Sequence, residues 1–228
     1  MHTGLDARLD RISTDGSYFV VPMDHGITMG AVSGLKDIES TIDGVTRGGA
    51  DAVLTQKGIA PRVHPNKNEQ GYIVHLNAST TIGPDEDDKR MSGTVEEAVR
   101  AGADAVSLHI NVGSTYEPKQ LEDLARVTDE AARLGIPVLA MAYARGKGID
   151  STDPESLGHA VRFAEEFTRA VTGPGRTVAR ALRALPDALV ERQGRTDGGV
   201  PRVRLRAGIG TSILIITLVL TIALFLVL

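Results

Sequence analysis

Two seven-residue stretches, Arg47-Gly48-Gly49-Ala50-Asp51-Ala52-Val53 and Arg100-Ala101-Gly102-Ala103-Asp104-Ala105-Val106, repeat one pattern. In each, an amphipathic segment ends on glycine, an Ala-Asp pair turns the chain, and a short apolar run begins. Glycine suits the position after a helix because the left-handed backbone there leaves no room for a Cβ. The run that follows has the length of a strand. A chain that passes twice from helix to buried strand by the same device is building a β/α array around a parallel sheet.

The other segments fit that array. Phe19-Val20-Val21-Pro22-Met23 is a continuous apolar run, the signature of a strand buried on both faces, and Asp24-His25-Gly26-Ile27-Thr28 closes it. Leu35, Ile38, Ile42 and Val45 recur at helical spacing and predict a helix over 35–47. Further strands are expected at 52–55, 73–76, 105–110 and 137–143. Helices are expected at 94–100, where Thr94 and Glu97 form a capping box, at 117–134, where Gly135 stops the pattern, and from Glu155 to about Thr168 after Asp153-Pro154. The acidic run Asp85-Glu86-Asp87-Asp88 lacks metal-ligand spacing and reads as a solvated charge run. Five strands, each followed by a helical segment, make a right-handed parallel array, and eight such units close a barrel.

Each expected strand ends on polar residues: Asp24 and His25, Gln56 and Lys57, His75 and Asn77, His109 and Asn111, Tyr143 and Arg145. The carboxyl ends of parallel strands share one face, so these residues converge on one mouth although they are far apart in sequence. Asp24 and Tyr143 carry the most chemistry. A carboxylate and a phenol at neighbouring strand ends can move protons to and from a substrate carbonyl or hydroxyl, as bond formation and cleavage beside a ketone require. The plainer readings are that Asp24 caps the next turn, that His25 makes a satisfied hydrogen bond, and that Tyr143 is a core residue with a partnered hydroxyl.

Charge divides the chain. Residues 1–166 hold 16 Lys+Arg against 26 Asp+Glu, a net of −10, whereas residues 167–228 hold 9 against 3, a net of +6. The acidic part argues against nucleic acid as a partner and suits a salt-adapted cytoplasmic protein. Without cysteine there is no disulfide, no thiolate zinc site and no thiol nucleophile. The first 15 residues are polar and lack the apolar segment of a signal peptide. Residues 207–228, by contrast, run for 22 residues without a charge, and about 20 apolar residues span a bilayer. Arg202, Arg204 and Arg206 precede this run and would hold the domain before it on the cytoplasmic side.

Five blocks taken together resemble the archaeal class I aldolase family: Pro22 to Gly26, Val53 to Gly58, His75 to Asn77, Gly102 to Gly113, and Met141 to Gly146. The resemblance covers about residues 5–166. It implies a TIM (β/α)8 barrel, here truncated after about five β/α units and followed by an unrelated tail. It also implies Schiff-base chemistry on a sugar phosphate and an aldehyde. In one branch that chemistry transfers a three-carbon unit onto aspartate semialdehyde for aromatic amino acid synthesis; in a sibling branch it cleaves fructose bisphosphate. By position Asp24 would be the proton acceptor and Tyr143 the proton donor. Asp24, His25, Gly26, Ile27, Thr28, Tyr143, Ala144 and Arg145 would line the substrate site. The resemblance implies no metal and no cofactor, because a protonated imine is the electron sink. It further implies a cytoplasmic homo-oligomer.

The sequence departs from the family beyond Glu166. The family's imine-forming lysine ends the sixth strand, yet no lysine follows Lys147 here, and residues 167–206 contain nine arginines. The expected organisation is therefore a partial barrel over 1–166, an Arg/Gly-rich linker over 167–206 from a shifted reading frame, and a membrane helix over 207–228. Activity is expected to be impaired unless Lys57 or Lys147 stands in for the missing amine. The alternatives are a non-catalytic barrel fragment tethered to a membrane, and a metal held by His25, His75 and His109.

Overall fold

A computed structural model describes residues 3–16 and 18–172. Helix α1 (Thr3–Arg11) leads to strand β1 (Val20–Pro22), the short helix α2 (His25–Met29) and helix α3 (Ile38–Arg47). Strand β2 (Ala52–Gln56), a 3-10 turn (Lys57–Ile59) and the single-turn α4 (Ala60–Val63) follow, then β3 (Gly71–His75). The antiparallel pair β4 (Asn77–Ala78) and β5 (Arg90–Met91) brackets a loop before α5 (Val95–Arg100). The chain ends its described part with β6 (Ala105–Val112), α6 (Glu117–Leu134), β7 (Val138–Ala144) and α7 (Pro154–Thr172). The linker from residue 173 and the apolar run 207–228 lie outside the described residues. Among the described residues no helix is long and apolar enough to cross a membrane.

Five strands form one parallel sheet in the order β1-β2-β3-β6-β7, a curled half-barrel. The two repeated joints explain how its amino-terminal end holds together. At the first, Asp51 accepts from the backbone N–H of Phe19 at 2.7 Å and from the Thr14 hydroxyl at 2.6 Å. At the second, Asp104 accepts from the backbone N–H of Tyr72 at 3.0 Å and from Arg11 at 3.0 Å. Each aspartate thus staples the start of its own strand to the start of the strand beside it. Such charge-assisted bonds are stronger than bonds between neutral groups.

Alternation along the strands sorts two apolar layers. One side of each strand packs under the helices, with Ile42, Val53, Val74, Leu108, Leu124 and Val127 in one cluster. The other side faces the concave interior, where Ile12, Val20, Leu54, Ile73, Leu139 and Met141 meet. Ile12 is fully buried and plugs the amino-terminal end of that interior, so α1 acts as its floor. Burying such a side chain is worth about 1.5–3 kcal/mol. The floor needs Gly71, because a Cβ there would lie 2.6 Å from the Arg11 carbonyl oxygen and from the Ile12 side chain.

The element pattern follows the sequence closely. The capping box at Thr94 and Glu97 is present in full, and Asp37 caps α3 by accepting from Ser40. Three differences stand out. The polar amino terminus forms α1, since an amphipathic helix of nine residues needs only Leu5 and Leu9 to face inward. The expected buried strand from Phe19 is three residues long, and Phe19 is 55% exposed, because β1 is an edge of the described sheet with a neighbour on one side. Helix α7 runs through Glu166 to Thr172 without a break at the expected boundary.

Candidate active site

The carboxyl ends of the strands surround a cavity of about 760 Å³. Asp24, His25 and Thr28 line it from one side, and His109, Tyr143 and Arg145 from the other. Asp24 and Tyr143 stand at opposite edges of the half-barrel, not on adjacent strands, and the curl of the sheet brings them across one space. Gly26 and Ile27 lie on the first turn of α2, with Ile27 largely exposed, and Ala144 is a buried lining residue.

Asp24 occupies the cap position of α2 but makes no side-chain capping bond. Its Oδ1 is buried and has no hydrogen-bond partner. The nearest imidazole nitrogens lie beyond hydrogen-bond reach, His25 Nδ1 at 3.8 Å from Oδ1 and His75 Nε2 at 3.7 Å from Oδ2. His75 is anchored through Nδ1 to the Ser107 hydroxyl at 2.6 Å. Burial holds the His75 pKa below its ordinary value, against the pull of Asp24, with Lys89 and His25 lowering it further. A neutral His75 gives Asp24 no ion pair at that distance. Buried acceptors are almost always satisfied, so an orphaned carboxylate oxygen facing a cavity marks a group waiting for a donor.

Two planar groups pack on Tyr143. The His109 ring lies 4.4 Å away at a tilt of 33°, and the Arg145 guanidinium carbon sits over the Tyr143 ring, 4.6 Å from its centre. His109 is fixed by Asn111, whose Oδ1 is 2.7 Å from Nε2, and burial keeps its pKa well below the ordinary value. The phenol of Tyr143 has its pKa raised by burial, with Arg145 opposing and Asp24 reinforcing. It therefore keeps its proton at neutral pH. Arg145 is aimed by a close approach behind it: a Cβ on Gly146 would lie 2.1 Å from the Gly113 carbonyl oxygen. Only glycine permits the β7 loop to pass so near the β6 loop.

The remaining strand-end residues are structural. Gln56 donates to the Asn77 carbonyl and accepts from Ser92, and Asn77 bridges both backbone groups of His109. Lys57 does not face the mouth as a free amine; both Glu97 carboxylate oxygens hold it at 2.7 Å, since the capping glutamate is within reach of the 3-10 turn. Lys147 is exposed. Among the described residues no three His, Asp or Glu side chains gather as a metal cluster.

Sequence reasoning missed Lys89. It lies in the loop between β4 and β5, is only 7% exposed, and lines the cavity with Glu86 and Asp87 from the supposedly solvated run. The loop folds over the mouth because the Asp87 carbonyl accepts from Asn111 and Gln120, and the Thr28 carbonyl accepts from Thr81. Nothing in the periodicity of Asp85 to Arg90 separates this inward lysine from a surface one.

Comparison with known proteins places this geometry. The chain is 70% identical over 163 residues to the 2-amino-3,7-dideoxy-D-threo-hept-6-ulosonate synthase of Halobacterium salinarum, covering 72% of this chain and 62% of that protein. It is 31% identical to the class 1 fructose-bisphosphate aldolase of the same species, covering 68% and 62%. The chain thus spans less than two thirds of the length of these relatives. A solved archaeal fructose 1,6-bisphosphate aldolase superposes with a TM-score of 0.62 at 33% identity, over 72% of this chain and 67% of that one. Another, with its catalytic lysine bound to a carbinolamine intermediate, gives 0.62 at 26% identity, over 83% and 88%. A family model for DeoC/LacD aldolases matches residues 18–169, across the half-barrel and every residue that lines the cavity mouth, and the chain belongs to that family.

Proposed function

We propose that the pocket serves class I aldolase or transaldolase chemistry on a sugar phosphate, with an amino acid semialdehyde as acceptor, of the heptulosonate synthase kind. The observation that carries this reading is the facing of Asp24 and Tyr143: a buried carboxylate oxygen without a partner and a protonated phenol share one cavity. Asp24 would take a proton from a substrate hydroxyl or the adjacent carbon. Tyr143 would give one to the carbonyl oxygen that becomes a hydroxyl. Each such transfer contributes about 10²–10⁴ in rate. The synthase reading is preferred to fructose bisphosphate cleavage because identity to the named synthase is 70% and to the named aldolase 31%.

Turnover by this chain is proposed to be impaired. No lysine follows Lys147, and Lys57 is held in an ion pair by Glu97. The enzyme is proposed to work in the cytoplasm. Incubation of the full chain with a ketose phosphate and aspartate semialdehyde, with mass-spectrometric detection of the condensed product, tests the reading. Saturable ketose phosphate binding that weakens in Tyr143→Phe and Asp24→Asn, with product formed more slowly than by the Halobacterium relative, is expected. Absence of ketose phosphate binding would refute it.

A further inference from the structure

Two cations project into the cavity without a counter-ion in contact. Lys89 is more than nine-tenths buried, and its ammonium has three donors. One goes to the Ser79 hydroxyl at 2.6 Å, and among the described residues no carboxylate lies within ion-pair distance of it. Arg145 is half-buried, lies over the Tyr143 ring, and likewise has no carboxylate partner among the described residues. The two are near enough to repel each other. Elsewhere in the chain, lysines and arginines near carboxylates pair with them closely, as Lys57 does with Glu97 and Arg11 with Asp104. Burying a charge is costly unless it is paired, so two cations lining one cavity without a carboxylate in contact call for an anionic ligand.

We propose that Lys89 and Arg145 form an oxyanion subsite that receives the carboxylate or phosphate of the bound substrate, in the cavity that Asp24 also lines. The inference rests on the aldolase reading for its substrate but not for its chemistry. Lys89 binds as a charge, and the flap formed by the β4–β5 loop carries it. Burial and Arg145 lower the Lys89 pKa in the empty pocket, while Asp87, Glu86 and Asp24 raise it. An arriving anion raises it, so binding draws a proton onto the pocket.

Isothermal titration of the full chain with inorganic phosphate in one arm and L-aspartate in the other tests the subsite and separates the two sources of oxyanion. At least one is expected to bind, with affinity lowered about tenfold or more in Lys89→Met and largely kept in Lys89→Arg. Lys147→Met, an exposed control, should bind as the parent does. Repeating the titration in buffers of different ionisation enthalpy should show proton uptake that Lys89→Met abolishes, a readout that a purely structural lysine would not move. Failure of both anions to bind, or equal binding by Lys89→Met, would overturn the proposal. So would borohydride trapping of a ketose phosphate on Lys89, which would make it a nucleophile. Anion binding that depends on Lys89 without ketose phosphate binding would keep the subsite and remove the aldolase reading. Ketose phosphate binding with anion affinity indifferent to Lys89 would do the opposite.

Discussion

Asp104 and Asp24 stand at opposite ends of the same parallel sheet and use their oxygens differently. Both Asp104 oxygens are occupied, one by the Tyr72 backbone and one by Arg11, and Asp51 repeats the arrangement at the neighbouring joint. Asp24 leaves one buried oxygen unpartnered, and the cations that share its cavity are equally unmatched. The amino-terminal end of the sheet is built to hold strands together. The carboxyl-terminal end holds polar groups apart until something binds between them.

The contrast can be broken most sharply at Asp24. Asp24→Asn should lower whatever aldol turnover the chain supports by about 10²–10⁴ while leaving the melting temperature unchanged or higher. A product assay beside a thermal melt followed by circular dichroism checks both halves. Asp104→Ala should do the reverse. It strands the buried Tyr72 N–H and releases Arg11, costing about 2–3 kcal/mol in a denaturant titration, with ketose phosphate affinity in the folded fraction unaltered.

Acid should separate the ends next. His75 and His109 are kept neutral by burial, so their folded pKa values lie below the unfolded value of about 6.5. The unfolded chain therefore binds more protons as pH falls below that value. Stability declines from there until the folded pKa values are reached, by at most about 1.4 kcal/mol per pH unit for each histidine. Denaturant titrations between pH 7.5 and 5 should show the decline, and His109→Asn should flatten it. The smallest effect is expected from Lys89→Met, which replaces a buried cation lacking a counter-ion. It should raise stability at pH 7 by about 1 kcal/mol in the absence of anions. A fall in stability would show that Lys89 is a structural member of the loop.

The sheet was legible because its signals are local. Gly-Ala-Asp-Ala-Val marks two of the helix-to-strand joints, and Thr94 with Glu97, Gly135 and Asp153 mark helix ends, each through bonds made within a few residues. Asp24, His109, Tyr143 and Arg145 were legible because parallel strands deliver their ends to one face. Lys89 was not, because its burial comes from contacts of its loop with Asn111, Gln120 and Thr28, all distant in sequence. The misplacement of Lys57 has the same origin, since Glu97 reaches it from another element. Local pattern predicts where a side chain starts, and tertiary partners decide where it points.

The loop that bears Lys89 leaves and rejoins the sheet at a single neck. The Leu76 carbonyl accepts from both Ser92 and Gly93, and Gln56 grips Asn77 on the way out and Ser92 on the way back. A segment closed in this way behaves as an exchangeable cassette. Because no strand of the main sheet passes through it, its length and charges can be rewritten without disturbing the strand register.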